Sequence, residues 1–152
     1  MTTQPDTVQD AAAAVPARLA PERWAPVHAP LAHHARHTPD APFLLSAPCL
    51  TYRQAAHWVA QLASGPLGAF AGERVALWLD KGNAYALGIL AALHAGCAYV
   101  PLDGAQPAPR AAEILQDAQA AVLLADHKHA QALLTHGWPA SVRQLLLMGE
   151  QP

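Results

Sequence analysis

Short apolar runs and longer segments of helical spacing alternate along the second half of the chain. Apolar runs of strand length that alternate with helices of about 10–15 residues are typical of βαβ units. The pattern therefore predicts an α/β fold, with a parallel sheet and flanking helices. The predicted strands are Arg74–Leu79, Ala98–Leu102, Ala121–Ala125 and Arg143–Met148, and the predicted helices between them are Ala84–His94, Ala108–Ala118 and His129–Thr135.

A short helix and a small hairpin are predicted before these strands. Residues 31–37 have helical spacing, and Thr38-Pro39 ends that helix because the residue before a proline avoids the α region. Phe43–Leu45 and Leu50–Thr51 are β-prone stretches around a proline-containing turn, which favours a small hairpin or a bent strand.

A second helix is predicted over Tyr52–Ala63, directly after this hairpin. Thr51 has a side chain suited to cap its first turn. Helical spacing then places four apolar residues on one stripe, so the helix is amphipathic. The predicted buried stripe consists of Ala55, Trp58, Val59 and Leu62.

The prolines of the first thirty residues define the predicted domain boundary. Pro16, Pro21, Pro26 and Pro30 recur about every five residues, which forbids a long helix. We therefore predict a poorly ordered Ala/Pro-rich leader over 1–29, with one short turn of helix near 11–15, and an α/β subdomain over 30–152.

Composition excludes several classes of function. Nine Lys and Arg residues against eleven Asp and Glu residues in a chain of 152 provide no basic field, so neither nucleic acid nor membrane is an expected partner. No apolar run is long enough to span a membrane, and the first ten residues do not resemble a signal peptide. The sequence therefore predicts a cytoplasmic protein, in which Cys49 and Cys97 are buried, inert thiols.

An aspartate follows each of the first three predicted strands: Asp80, Asp103 and Asp126. Ligands of open α/β sheets bind at the carboxyl ends of the strands, so these residues define a candidate site for a cation or phosphate, as in a flavodoxin-like domain that binds Mg²⁺. Aspartate in this position also caps the connection that follows, and the sequence favours this second interpretation.

Histidines provide the other candidate chemistry. His33 and His37, or His34 and His37, could share one face of the first helix, and His127 and His129 flank a lysine. Three or four converging ligands are normal for zinc, and these spacings do not supply them. No phosphate-binding glycine motif follows a strand either. We therefore predict solvated or capping histidines, with no catalytic, cofactor-binding or metal-binding residue in the chain.

Two stretches resemble the first core motifs of adenylate-forming enzymes, above all the adenylation domains of nonribosomal peptide synthetases. They are Leu50-Thr-Tyr-Arg-Gln54 and Leu93-His-Ala-Gly-Cys-Ala-Tyr-Val-Pro-Leu-Asp103, and the likeness extends over about 31–148. The family has Glu-Leu where this chain has Gln54-Ala55, commonly lysine at His94, and proline at Gly104. The matching motif residues, to which the resemblance gives structural roles, are Leu50, Thr51, Tyr52, Gly96, Tyr99, Pro101, Asp103, Pro107 and Arg110. Among these roles, Tyr99 is expected to fill the sheet.

The resemblance implies an N-terminal subdomain of the adenylate-forming fold. In that family the loop that holds the ATP phosphates, an aspartate that holds ribose and a late lysine all follow the part that this chain matches. The resemblance therefore implies a fragment or split half of an ATP-dependent enzyme that activates a carboxylate or amino acid in nonribosomal peptide biosynthesis. It would contribute scaffold and one wall of the cleft and be inactive alone, with ATP and Mg²⁺ required by the complete enzyme.

The expected partners follow from the same resemblance. The apolar run Leu145–Met148 is expected to contact a complementing C-terminal part of the enzyme, or a second copy. Some relatives bind a small MbtH-like protein after the second motif, where Ala108 and Pro109 are candidate contacts here, although Ala108 could simply begin a helix. The alternative function is a non-catalytic module that binds such a partner or a carrier protein.

Overall fold

The computed structural model describes residues 26–149. In chain order the elements are α1 (Ala29–His37), β1 (Pro42–Leu44), β2 (Leu50–Thr51), α2 (Tyr52–Ser64), a 3₁₀ turn (Gly68–Phe70), β3 (Arg74–Trp78), α3 (Asn83–His94), β4 (Ala98–Leu102), α4 (Ala108–Asp117), β5 (Val122–Ala125), α5 (His127–His136) and β6 (Gln144–Leu147).

β3 to β6 form one four-stranded sheet in the order β4-β3-β5-β6, and every neighbouring pair is parallel. Trp78 at the end of β3 lies level with Leu102 and Ala125 in the strands on either side. β1 and β2 pair separately as an antiparallel hairpin. The predicted α/β fold with a parallel sheet is therefore confirmed, and the element bounds differ from the predicted ones by a few residues.

Alternating side chains of the central strands pack into two separate layers. On one face, Val75, Leu77 and Leu124 pack with α2, α3 and the hairpin. On the other face, Trp78 and Leu123 pack with α4 and α5. Because both faces of the sheet are covered, β3 and β5 are apolar along almost their whole length, as parallel strands usually are. Each of these fully buried side chains contributes about 1.5–3 kcal/mol.

Helix ends follow the signals in the sequence. The backbone N–H of Gln54 donates to Thr51 Oγ1 at 3.3 Å, and Gln54 Oε1 accepts from the Thr51 N–H at 2.9 Å. This reciprocal capping box begins α2. Gly96 follows α3 with φ +76°, the left-handed conformation that ends many helices and favours glycine.

Three predicted environments were wrong. The buried residues of α2 are Ala55, Val59 and Ala63, whereas Leu62 is half-buried and Trp58 is 37% exposed, because the helix turns its i, i+4, i+8 positions toward α3. Tyr99 does not fill the sheet: it is 40% exposed, because β4 is an edge strand.

The prediction that both cysteines are buried is confirmed for Cys97 and wrong for Cys49. Cys97 is buried, and its Sγ donates to the carbonyl of Phe70 at 3.1 Å. Burial, with a smaller contribution from Glu73, raises the pKa of this thiol, which keeps it protonated and unreactive. Cys49 is exposed instead, because it follows the turn of the hairpin rather than lying in a strand.

The predicted leader over 1–29, including its short turn of helix near 11–15, falls almost entirely outside the described residues. Its last residue, Ala29, belongs to α1, so this helix begins one residue before the predicted start of the subdomain. Within residues 26–149, no helix is both long and apolar enough to cross a membrane.

Candidate functional site

Two clefts lie at the carboxyl edge of the parallel sheet, where ligands of such folds bind. The first, of about 360 Å³, lies between the ends of β3 and β4 and is lined by Asp80, Tyr85 and Asp103. The second, of about 670 Å³, lies between β3, β5 and the hairpin turn, and is lined by Asp80, Asn83 and Lys128. Asp80 follows a central strand and therefore borders both clefts.

A buried histidine joins the elements around these clefts. His129, in the first turn of α5, is 2% exposed. Its Nδ1 lies 2.8 Å from Asp126 Oδ2, and its Nε2 lies 2.9 Å from the carbonyl oxygen of Gly104. The ring also packs on Trp78 at 4.7 Å between centroids. His129 thus connects the start of α5 with the loop that follows β4.

Trp78 supports the same loop from the sheet. Its Nε1 donates to the carbonyl of Asp103 at 3.1 Å, beside the carbonyl of Gly104 that His129 contacts. Asp103 Oδ1 in turn accepts the N–H of Ala105 at 3.0 Å, which closes a tight turn. We call Trp78, Asp126 and His129 the loop clamp, because together they fix two successive carbonyls of this turn.

The Asp126 carboxylate has two roles in the loop clamp. It caps α5 by accepting the backbone N–H of His129 at 2.9 Å, and it binds the ring of the same residue. Partial burial raises the pKa of the Asp126 carboxyl, but these hydrogen bonds and the nearby charges of His129 and Lys128 outweigh that effect. The net pKa is below its ordinary value, so Asp126 is ionised at neutral pH.

The structure separates the two interpretations of the strand-end aspartates. Asp126 caps a helix and Asp103 closes a turn, which confirms the capping interpretation for these two. Asp80 does neither: its side chain is 71% exposed and its nearest charged partner is Lys128, at 3.7 Å. The flavodoxin-like arrangement therefore gains no support, because two of its three carboxylates are already engaged within the fold.

Asn83 is a buried polar residue of the larger cleft that sequence reasoning missed. It is 9% exposed at the start of α3, and its Nδ2 donates to the carbonyl of Pro48 at 2.6 Å. Its Oδ1 is buried and has no hydrogen-bond partner among the described residues. The contact holds the hairpin turn against the sheet and so shapes one wall of the cleft.

The residues of the first motif lie at the hairpin and the start of α2. Leu50 is buried in the core, Thr51 caps the helix, and Tyr52 packs between Phe43 and His34 at 4.9 Å from each ring. These contacts are structural, in keeping with the role that the resemblance implies.

The second motif runs along the edge strand β4 into α4. Gly96 ends α3, Pro101 and Tyr99 lie in β4, and Asp103 forms the turn. Pro107 then precedes α4, whose first residue is Ala108. Ala108 is half-buried against the second core layer, so the candidate partner contact is less accessible than the sequence suggested. Pro109 and Arg110 are exposed, and Arg110 pairs with Glu113 at 2.8 Å.

Histidines occupy several different environments. His129 was expected to be solvated or capping and is instead the buried centre of the loop clamp, while His127 in the same turn is exposed. His33 and His37 share one exposed face of α1. Across residues 26–149, no group of three or more histidine, cysteine or acidic side chains is arranged to hold a metal ion.

Comparison with known families settles the class of protein. The model of the AMP-binding enzyme family matches residues 31–148, which span α1 to β6 and include both motifs. The chain belongs to the AMP-binding enzyme family. The resemblance read from the motifs is therefore confirmed, and the chain is an N-terminal portion of an adenylate-forming enzyme.

Curated relatives of this AMP-binding chain include a carrier-protein ligase and a tripeptide synthetase. It is 44% identical over 118 residues to the L-proline–(L-prolyl-carrier protein) ligase of Streptomyces coelicolor, covering 76% of this chain and 22% of the ligase. It is 39% identical over 103 residues to the phosphinothricin tripeptide synthetase PhsB of Streptomyces viridochromogenes, covering 65% of this chain and 9% of the synthetase. The chain therefore spans about a fifth of the ligase and less than a tenth of the synthetase.

Solved structures of adenylate-forming enzymes share the fold. The nonribosomal peptide synthetase FmoA3 in its AMPPNP-bound form matches 79% of this chain and 13% of its own, with a TM-score of 0.69 and 28% identity. The anthranilate CoA ligase AuaEII in complex with anthranoyl-AMP matches 82% of this chain and 25% of its own, with a TM-score of 0.74. Its 18% identity shows likeness of fold alone.

Proposed function

We propose that this chain forms the N-terminal part of an adenylation domain that uses ATP to activate an amino acid for transfer to a carrier protein in nonribosomal peptide biosynthesis. The observation that carries this proposal is the 44% identity to the L-proline–(L-prolyl-carrier protein) ligase, over nearly the same residues that match the family. Within that enzyme, which we place in the cytoplasm, the chain supplies scaffold and one wall of the active-site cleft.

The chemistry at the carboxyl edge supports a scaffold role. Asp103, Asp126 and His129 use their polar atoms to fix backbone and to cap a helix, so they are not free to act on a substrate. Asp80 and Lys128 are exposed beside the larger cleft and give its wall one charge of each sign. We therefore assign the reacting groups to parts of the enzyme outside the segment matched here.

ATP and Mg²⁺ belong to the complete enzyme in this proposal. The described residues do not fit an ATP–Mg²⁺ site by themselves: Asp80 is the one strand-end carboxylate not engaged in a turn or a cap, and it lies beside Lys128. Magnesium sites in ATP-dependent enzymes use one or two carboxylates together with the substrate phosphates. The phosphate-binding groups must then come from elsewhere in the enzyme.

A chimera tests the proposed activity directly. Residues 31–148 would replace the matching segment of the Streptomyces coelicolor ligase, and ATP–pyrophosphate exchange would be measured with L-proline and with a panel of other amino acids. We expect exchange by the chimera and none by the isolated chain. A folded chimera that is inactive with every amino acid would contradict the adenylation role. Exchange by the isolated chain, surviving removal of contaminating ligases, would contradict the scaffold role.

The two edges of the sheet differ in how they could meet the rest of the enzyme. β4 carries Pro101, which has no N–H to donate, so this edge is poorly suited to pair with another strand. β6 has no proline, and Leu147 on it is 47% exposed. We propose that the complementing part of the enzyme covers β6, and that the isolated chain self-associates there instead.

Analytical ultracentrifugation of the isolated chain tests this contact. We expect association that rises with concentration and weakens in a Leu147→Lys variant, whereas a Leu134→Lys variant, changed at an exposed leucine of α5, should behave like the unchanged chain. A monomer at high concentration with slowly exchanging amides in 145–148 would show that the β6 edge needs no cover.

The alternative function is a non-catalytic module that recruits an MbtH-like protein or a carrier protein. The loop clamp supports this alternative, because it holds the turn before α4 in place and so presents Pro109 and Arg110 on a fixed surface. Stable binding of an MbtH-like protein, lost in a Pro109→Glu variant and found together with an inactive chimera, would favour this alternative.

A further inference from the structure

Two histidine rings stack on the exposed face of α1, one helical turn apart. The ring centroids of His33 and His37 are 4.2 Å apart, and the ring planes differ by 24°. Both side chains are on the surface. Residues at i and i+4 of a helix are neighbours, so this spacing places both imidazoles side by side on the exposed face of the helix.

The hydrogen bonding of His37 fixes which of its nitrogens is free. Its Nδ1 lies 2.8 Å from the backbone carbonyl oxygen of His33. A carbonyl can only accept, so Nδ1 carries the hydrogen, and the lone pair of the neutral ring lies on Nε2. This arrangement, in which one nitrogen binds a carbonyl and the other is free, is the usual one for a histidine that binds a metal.

The surroundings of His33 also affect its protonation. The charge of His37 lowers the pKa of His33, and partial desolvation, His34 and Arg36 lower it further. This direction is the one expected for two stacked rings, because two imidazolium charges would repel each other.

We propose that His33 and His37 chelate one late transition-metal ion, binding Cu²⁺ more tightly than Ni²⁺ or Zn²⁺, through one ring nitrogen each. Bonds of about 2.0–2.1 Å to zinc place two adjacent ligand nitrogens about 3 Å apart. Rings stacked at 4.2 Å reach that separation by small rotations about χ2, which is a broad torsion in histidine. Imidazole ligands suit these metals and not Mg²⁺ or Ca²⁺.

The remaining histidines near α1 are arranged differently. His34 meets the His33 ring edge to face, with centroids 5.3 Å apart, and it packs on Tyr52 of α2 at 4.9 Å. The Nδ1 of His34 is 3.4 Å from the Thr38 hydroxyl. His28 and His94 meet edge to face, with ring planes 70° apart, on separate parts of the chain. None of these contacts joins two histidines in the stacked i, i+4 geometry. His33 and His37 therefore supply two ligands, and water fills the other coordination positions of the metal ion.

The chelate would join two successive turns of α1 near its carboxyl end. Because the ion binds the helical form better than the unfolded chain, it should stabilise that helix by mass action. α1 packs on α2 through Leu31, so the effect should be visible in thermal unfolding of the whole domain.

Copper titration of the tag-free chain tests the proposal. Calorimetry at pH 7.5, with a competing chelator, should find one Cu²⁺ site whose affinity falls at least tenfold in His33→Ala and in His37→Ala. His57→Ala, which alters an exposed histidine outside the pair, should retain affinity within twofold. At pH 5.5 the affinity should also fall at least tenfold, because protons compete for the rings.

Two further measurements distinguish the site from general copper binding. Zn²⁺ and Ni²⁺ should raise the thermal midpoint of the unchanged chain but not of the His33→Ala/His37→Ala double variant, and Mg²⁺ should raise neither. Electron paramagnetic resonance should show two nitrogen ligands on Cu²⁺. Undiminished affinity in the double variant, or a tenfold loss in His57→Ala, would overturn the proposal.

Discussion

Replacing His129 with alanine should destabilise the domain strongly, although the residue has no proposed part in catalysis. The change removes the contact from Nδ1 to Asp126 and the contact from Nε2 to the Gly104 carbonyl. It also removes an aromatic ring that packs on Trp78. The loop after β4 then loses one of its two side-chain attachments, since only the Trp78 indole remains.

The size of the effect can be estimated from these contacts. Hydrogen bonds that involve a charged group contribute about 1.5–3 kcal/mol each. Water that enters the space left by the ring would form new hydrogen bonds with Gly104 and Asp126 and so recover part of the lost free energy, since Asp126 is 28% exposed. We therefore expect the free energy of unfolding to fall by about 2–3 kcal/mol.

Equilibrium urea unfolding, followed by far-ultraviolet circular dichroism, measures this loss. His127→Ala is the matched control, because His127 lies in the same helical turn and is exposed, and it should change stability by less than about 0.5 kcal/mol. Hydrogen exchange gives a local test: the amides of Ala105 and Gln106, which bond to Asp103, should exchange faster in His129→Ala. A loss below 0.5 kcal/mol with unchanged exchange at both amides would refute the loop clamp.

Three other changes test separate features of the fold. Asp126→Asn keeps a helix-capping side chain but removes its charge. Because the pKa of the folded Asp126 carboxyl is lowered, the stability that its charge contributes is complete above about pH 5 and is lost as the pH falls through the folded pKa. The urea midpoints of the variant and of the unchanged chain should therefore differ at pH 7 and converge toward pH 3. Gly96→Ala, at φ +76°, should lower the free energy of unfolding by about 1–2 kcal/mol. Gly82→Ala, at an extended φ of 176° with open space around it, should change the free energy of unfolding little. Equal free energies of unfolding for the two variants would contradict the conformational explanation. Thr51→Ala should cost about 1 kcal/mol by removing the cap of α2, and a neutral result in the same urea assay would show that the cap contributes nothing.

Most of the fold could be predicted because its signals are local. The continuous apolar runs of β3 and β5, Thr51 before α2 and Gly96 after α3 each depend on a few neighbouring residues. The order of the strands in the sheet does not depend on neighbouring residues: β5 lies beside β3, and β4 lies at the edge. The composition of β4 is that of a buried strand, so Tyr99 was expected to be buried. It is exposed because β4 has a neighbouring strand on one side only.

The candidate site was predictable only in part. The strand-end aspartates and both motifs were visible in the sequence, but the buried state of His129 depends on a carbonyl 25 residues away. One signal was present: Asp126 and His129 have the spacing of a helix cap and its third residue, in which the two side chains often meet. Nothing in the sequence near Asn83 indicated that it would meet the hairpin turn 35 residues earlier.

The contact between His129 and Gly104 has a consequence for the evolution of this chain. The hydrogen bond is made to a main-chain carbonyl, which every residue possesses, so an exchange at Gly104 leaves the acceptor in place. A side chain there would place its Cβ 2.6 Å from Asp80 Oδ1, but Asp80 is exposed and its carboxylate can turn away. No other residue type offers two ring nitrogens to Asp126 and Gly104 at once. We therefore expect the residue at position 104 to vary among related chains, whereas the histidine at position 129 should be retained.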